Sequence, residues 1–375
     1  MADHQIPETP EQVTDDWLTR ALRESGAVEQ ASVTAHTSEP VEMQGAAAVV
    51  ARIELVYDSA EAGAPTSLIA KFASPHGPMR ELVHGLGLYL REIEFYRNFG
   101  TDPGIPTPRC FHAEIDPASG IFALLLEDLS DSRGGDRASP SVEDVEMAVR
   151  HLAPFHAKWW NHERLHDLDF LRFPGSPADE TFMALGRDAL AGALTATEER
   201  FGSEFPASLV TVIERLLANW EALTENRRQA QDRATLVHGD FHPQQLFFPS
   251  DRGGRFAAID WQTVRAGSGG DDLARIIAMG LSIEQREESD RRLIELYHSL
   301  LIESGVTGYD IEQCREDFRR GLLTSVIVNV IAGATIDPAL IAEYEALNDV
   351  SVTEALFAPL AAAVEAHDAL GAVPA

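Results

Sequence analysis

Two carboxylates twenty residues apart carry the strongest chemical signal in this chain. Asp240 lies in Leu236-Val-His-Gly-Asp-Phe-His-Pro-Gln-Gln-Leu-Phe-Phe248, and Asp260 in Ala258-Ile-Asp-Trp-Gln262. Each follows a short apolar run, so each reads as sitting at the end of a buried strand, where two acidic groups can converge on one cleft. Phosphoryl transfer needs such a pair: one group orients a hydroxyl and the other holds a divalent metal. Asp240, in a tight turn with His238 and Gly239, is the candidate catalytic residue, able to accept a hydrogen bond from a substrate hydroxyl. Asp260 supplies the carboxylate that Mg²⁺ prefers, and Gln245 brings a carboxamide oxygen that could reach the same metal.

A cation is also required. Of the 30 basic residues only Lys71 and Lys158 are lysine, in a chain that otherwise uses arginine. Lysine is a compact point charge and arginine a planar fork, so the two do not substitute freely at a phosphate. Lys71, in the strand-like Leu68-Ile-Ala-Lys-Phe72, could reach nucleotide phosphates, with Glu92 or its neighbour Glu94 as a partner that fixes it. Lys158, beside Trp159 and Trp160, reads as chance retention.

Each residue has a plainer explanation when taken alone. His-Gly-Asp is a common turn, Asp260 could cap the next segment, Lys71 could be a solvated strand residue and Glu92 an exposed helix charge. Their order and intervals make the combination rarer than its parts. A rival reading takes the alternating His238, Asp240 and His242 as zinc ligands. Gly239 and Pro243 favour a turn over a regular strand there, and no His-rich segment nearby completes a tetrahedral set. His238 is expected to hydrogen-bond backbone and shape the loop.

The elements that must position these groups follow from periodicity. Thr14 caps an expected helix through Trp17, Leu18, Ala21 and Leu22. Strand-like runs cover 47–57, 67–72, 109–114 and 121–127. Helical spacing covers 80–99, with Leu82, Leu86, Tyr89, Ile93 and Tyr96 near one face. After a loop at 130–140, helices are expected over 141–160, 181–201 and 207–227. Short strands follow at 245–248 and 256–259, and helices again from Asp272. The apolar stretch Leu322 to Ile336 is too short to span a bilayer and reads as a buried helix.

At 375 residues the chain exceeds one hydrophobic core. A β-rich first third before a helical remainder predicts an α+β, two-lobed layout, divided as 1–128 and 129–375. The 45% hydrophobic and 24% charged content is ordinary, whereas a net charge of -30 at pH 7 is not. It argues against nucleic acid or an anionic membrane as partner. Cys110 and Cys314 form no CxxC pair, which fits a reduced cytoplasmic protein. The amino-terminal residues lack a basic region and an apolar core, so no signal peptide is expected.

At the motif residues the chain resembles a known group. His238-Gly-Asp-Phe-His-Pro-Gln-Gln-Leu246 with Ile259-Asp-Trp-Gln262 is similar to the motifs of aminoglycoside phosphotransferase-like and choline kinase-like small-molecule kinases. Glu92-Ile-Glu-Phe-Tyr96, Leu125-Leu-Glu-Asp-Leu129, Phe155-His-Ala-Lys-Trp-Trp160 and Asp272-Leu-Ala274 resemble most the ecdysteroid kinase-like branch. The likeness runs over roughly residues 14 to 330, in ordered motifs that are specific together. It implies a two-lobed protein kinase-like fold with ATP and Mg²⁺ in the interlobe cleft and a small-molecule hydroxyl as acceptor. By the resemblance Asp240 is the catalytic aspartate, Asp260 the metal aspartate, Lys71 the phosphate-binding lysine and Glu92 its partner. Glu127 to Leu129 is the hinge that meets adenine through backbone groups, and Asp272 braces the catalytic loop. The phosphate-covering turn falls near Gln44-Gly-Ala-Ala-Ala48, with Gly45 its only glycine.

One departure stands out. The family usually has asparagine where this chain has Gln245, whose carboxamide sits one methylene farther out. That substitution keeps open an alternative, a nucleotide-binding pseudokinase. Trp159, Trp160 and Arg265 are expected near the acceptor. Neither the acceptor nor the oligomeric state is legible in the sequence.

Overall fold

The computed structural model describes residues 5–41, 47–136, 141–348 and 350–373. In chain order the elements are α1 (Asp15–Glu24), β1 (Val33–Pro40), β2 (Ala48–Tyr57), β3 (Ser67–Ala73), α2 (Gly77–Gly85) and α3 (Leu88–Phe99). Then come β4 (Cys110–Ile115), β5 (Phe122–Glu127), β6 (Arg133–Gly134), α4 (Val142–Lys158), α5 (Pro177–Phe201), α6 (Ala207–Ala218) and α7 (Trp220–Gln229). The short strands β7 (Thr235–Val237), β8 (Leu246–Phe248), β9 (Ala257–Ala258) and β10 (Arg265–Gly267) follow. The chain closes with α8 (Gly269–Gly280), α9 (Ile283–Glu303), α10 (Ile311–Thr335), α11 (Pro338–Asn348) and α12 (Ala358–Ala366).

Contacts gather these elements into two units. One comprises Met1–Arg133 with Pro249–Val264, the other Gly134–Phe248 with Arg265–Ala375. The division expected from sequence, 1–128 and 129–375, is contiguous; the contacts instead place Pro249–Val264 with the first unit.

The first unit is built on a five-stranded antiparallel sheet in the order β1-β2-β3-β5-β4. Along β3 the side chains alternate, with Leu68, Ala70 and Phe72 buried and Lys71 between them half-buried on the other face. The buried face packs against α1, whose Trp17, Leu18, Ala21 and Leu22 join Ile53, Leu68, Phe72 and Leu125 in one core. Thr14 caps α1 as its position predicts, accepting from the Trp17 N–H at 3.2 Å. The strand β1 is not expected from the sequence. Only Val33 in it is buried, so an edge strand facing water lacks the apolar alternation that would mark it.

The expected helix over 80–99 is two helices. Gly87 has φ 70°, a left-handed conformation that ends α2's path and starts α3. The 207–227 helix is likewise broken, at Asn219, between α6 and α7.

The second unit is mainly helical, and α8 is its centre, with every residue from Gly269 to Gly280 buried. It runs tightly against α10. A Cβ on Gly321 of α10 would lie 2.1 Å from the Gly270 carbonyl oxygen, and one on Gly270 would lie 2.3 Å from the Asp317 carbonyl oxygen. Two glycines therefore let the backbones touch where side chains would hold them apart. The stretch read as a buried helix lies in α10, with Leu322, Leu323, Val326 and Val330 in the core. No helix among the described residues is long and apolar enough to cross a membrane.

The contact at Gly321 predicts a stability cost. Gly321→Ala should destabilise the protein by about 1–3 kcal/mol, the range for overpacking, read as a lower urea midpoint. An unchanged midpoint would show that α8 and α10 can separate without loss.

Candidate functional site

In the first unit, the residues singled out from sequence meet. Lys71 Nζ lies 2.9 Å from Glu92 Oε1 and 2.7 Å from Asp260 Oδ1. The lysine reaches them because β3 is central, paired to β2 at Val50 and to β5 at Leu124. Glu92 comes from α3 and is buried, while Glu94, the other candidate, turns to Arg97 and Asn98. Asp260 is brought in by its neighbour. Trp261 is fully buried and stacks on Phe95 of α3 at 3.9 Å between ring centroids, with the planes 5° apart. Phe95 is three residues after Glu92, so one helix face holds both the glutamate and the ring that anchors Asp260.

Asp260 itself has φ 63°, a left-handed conformation uncommon outside glycine. Strain of that kind persists where surrounding contacts over-determine it. Here Gln262 Nε2 donates to both carboxylate oxygens, at 2.7 and 2.8 Å, and Lys71 adds a third contact. Gln262 lies in the Ile259-Asp-Trp-Gln262 motif, but sequence reasoning gives it no role at the site.

The charges do not balance. One ammonium faces two carboxylates in a site where Lys71 is 12% exposed, Glu92 2% and Asp260 20%. Burial pulls the Lys71 ammonium down, but the Asp260 and Glu92 charges outweigh it and hold it above the usual lysine range. Burial pushes the Glu92 carboxyl up to about 7, against the pull of Lys71 and with added repulsion from Asp260. Asp260 offers hard carboxylate oxygens of the kind that a divalent cation takes.

The 127–129 segment, expected to be the hinge, is tied to the rest of the first unit. Glu127 donates its N–H to the Arg109 carbonyl at 2.8 Å, and its carboxylate accepts from Arg109 N–H at 2.9 Å and Arg255 at 2.6 Å. Leu129 is buried and its carbonyl accepts from Ser132 N–H at 2.8 Å. Between them Asp128 holds Arg52 and Ser67, each at 2.6 Å. Gly45 lies outside the described residues.

In the second unit the loop after β7 is held by α8. Asp272 accepts from the N–H of His238 at 2.7 Å and of Gly239 at 2.8 Å. Gly239, at φ 85°, makes the turn that points both amides at one carboxylate. His156 of α4 lies 3.3 Å from Asp272 and 2.7 Å from the Tyr297 hydroxyl. His238 is buried and accepts from the Asp240 N–H at 3.3 Å, the loop-shaping part expected of it. Among the described residues there is no group of three or more His, Cys, Asp or Glu that could hold a metal ion.

Asp240 is 25% exposed, with Arg275 Nη2 at 2.5 Å from Oδ1 and His242 Nε2 at 3.4 Å from Oδ2. Gln245 is half-buried and closes a short turn by donating its N–H to the His242 carbonyl at 2.9 Å. The expected acceptor residues are mostly committed elsewhere. Trp159 is buried, Trp160 packs on Tyr309 at 4.9 Å, and Arg265 is buried against Asp271 at 2.6 Å. Lys158 is exposed, as chance retention predicts.

A five-stranded antiparallel sheet carrying a Lys–Glu–Asp cluster, with a helical unit carrying an Asp-bearing loop, defines the two-lobed α+β fold of kinase-like phosphotransferases. The chain belongs to the ecdysteroid kinase-like family, whose model matches residues 42–305. It is 24% identical over 247 residues to an uncharacterized kinase-like protein of Caenorhabditis elegans, a match that spans 62% of this chain and 62% of that protein's length. In fold it is similar to choline kinase from Cryptosporidium parvum, at a TM-score of 0.57, with 10% identity over 96% of this chain and 98% of that one. A candidate aminoglycoside phosphotransferase from Ralstonia eutropha gives a TM-score of 0.51, with 16% identity over 95% and 98% of the two chains. At such identities the likeness is one of fold.

The buried Asp272 yields a pH prediction. Burial pushes its carboxyl up, but the hydrogen bond from His156 and the charges of His156, His238 and Arg265 outweigh this and hold it below the usual aspartate range. A depressed folded value stabilises above the unfolded value, near 3.9, and the gain is lost as pH falls through the folded value. Asp272→Asn should therefore cost about 3 kcal/mol, constant from about pH 5 upward and shrinking in acid. Urea midpoints of both proteins from pH 3 to 8 check this; a gap that widened in acid would contradict it.

Proposed function

We propose that this protein is an ATP- and Mg²⁺-dependent phosphotransferase acting on a hydroxyl group of a small molecule. The observation that carries the reading is Lys71 held between Glu92 and Asp260. A half-buried lysine fixed by a helical glutamate is positioned to meet nucleotide phosphates, and the carboxylate of the neighbouring Asp260 suits their metal. Asp260 would hold Mg²⁺, with Gln245 as the second candidate ligand; bound there, the metal would neutralise charge on the phosphates. Adenine would be met by backbone of the 127–129 segment.

Asp240 would accept the hydrogen bond of the acceptor hydroxyl and orient its oxygen. As the acceptor oxygen bonds to the γ-phosphorus, the bond from that phosphorus to the β,γ-bridging oxygen breaks. ADP leaves with that electron pair, and the hydroxyl proton passes through Asp240 to solvent. Catalysis on this scheme is positioning and charge neutralisation, with no covalent intermediate on the protein. His238 and Asp272 keep the loop that carries Asp240 in place. The partner is a hydroxylated small molecule, and the net charge of -30 disfavours nucleic acid.

A panel of hydroxylated metabolites incubated with the protein and Mg-ATP tests the reading by mass spectrometry. At least one should gain the mass of a phosphate. Asp240→Asn should reduce transfer by about 10²-fold or more while leaving the Mg-ATP-induced rise in melting temperature. Asp260→Ala should lose both. Nucleotide binding without any transfer or ATP hydrolysis would instead support the pseudokinase reading.

A further inference from the structure

The proposed scheme uses Asp240 but gives no account of the arginine bound to it. Arg275 is 6% exposed, in the helix α8 that is buried along its whole length. Its Nε lies 2.6 Å and its Nη2 2.5 Å from Asp240 Oδ1. Its Nη1 donates to Asn329 Oδ1 of α10 at 3.0 Å, and Asn329 Nδ2 donates to the Leu356 carbonyl at 3.1 Å. The guanidinium is thus fixed on two sides before it meets the carboxylate. A planar fork held this way sets direction as well as charge.

Its position on α8 matters as much. Arg275 comes three residues after Asp272, so the two side chains leave α8 on one face. Asp272 takes the backbone N–H groups of His238 and Gly239, while Arg275 takes the side chain of Asp240. One rigid helix therefore fixes both the loop and its carboxylate. Burying paired charges costs desolvation that their attraction repays only when the geometry is good and the remaining donors are bonded, as Nη1 is to Asn329 here.

We propose that Arg275 is a positioning residue for phosphoryl transfer, fixing Oδ1 of Asp240 and thereby setting the direction in which the carboxylate, with His242 3.4 Å from its Oδ2, meets the acceptor hydroxyl. The guanidinium also balances the charge of the carboxylate. The inference rests on the phosphotransferase reading and adds to it a residue that acts through Asp240 without touching the substrate.

A double-mutant cycle on the full chain tests this. Turnover of Mg-ATP, with the best acceptor from the panel or with water, is measured for wild type, Asp240→Asn, Arg275→Met and the double variant. The melting shift on adding Mg-ATP is followed in each as a check of folding. Arg275→Met should lower kcat by about a hundred-fold, the cost of misplacing a reacting group, while KM for ATP stays within a few-fold. In the Asp240→Asn background the same change should cost nothing further. Arg275→Lys, which keeps charge without the fork, should recover part of the rate.

A full rate in Arg275→Met, or an equal loss in both backgrounds, overturns the positioning role. If Arg275→Met does not fold, Arg275→Lys carries the test, since its loss must vanish in Asp240→Asn. A wild-type protein with no turnover at all overturns the phosphotransferase reading, and the role of Arg275 with it. An active wild type with an unaffected Arg275→Met overturns this inference alone.

Discussion

One lysine buried against two carboxylates is the constraint on which the first unit depends. Glu92 and Asp260 accept the charge of Lys71 where its strand takes it largely out of water. The sheet, the α3 helix and the 249–264 segment are each needed to deliver one member. The Phe95–Trp261 stack explains how a segment far along the chain is returned to the sheet. Charge then does what packing cannot: two carboxylates converge on one ammonium and fix where it sits.

The second unit meets a different requirement by a related route. Its loop must present a carboxylate in one orientation, and loops are mobile unless their polar groups are tied. The tie comes from α8, which offers Asp272 to two backbone amides and Arg275 to Asp240. α8 in turn is fixed by the backbone contact of Gly270 with Gly321 and by the His156–Tyr297 pair at its start. Small residues that look inert in the sequence therefore govern the placement of reactive ones.

Much of the cluster is legible in the amino-acid sequence. Lys71, Glu92 and Asp260 stand out because residue type, order and interval point to one chemistry, and the fold brings the three together. Strand periods locate β2, β3, β4 and β5 to within a residue or two. What stays hidden depends on contacts between distant residues. Arg275 is one arginine among many until Asn329 and Asp240 are seen to hold it. The breaks at Gly87 and Asn219 occur inside patterns that remain helical in period. The water-facing β1 carries no apolar alternation to detect. Arg265 and Trp159, expected near the acceptor, are buried among partners that no local pattern announces.

Calorimetric titration of ATP into the wild-type protein, with Mg²⁺ and then with a chelator, tests the central claim most directly. If the carboxylate of Asp260 is a metal seat, ATP should bind at least about tenfold tighter with Mg²⁺ than without, a difference of about 1.4 kcal/mol. Equal affinity in the two conditions would contradict the account, because the Lys71–Glu92–Asp260 cluster would then have no metal to accommodate.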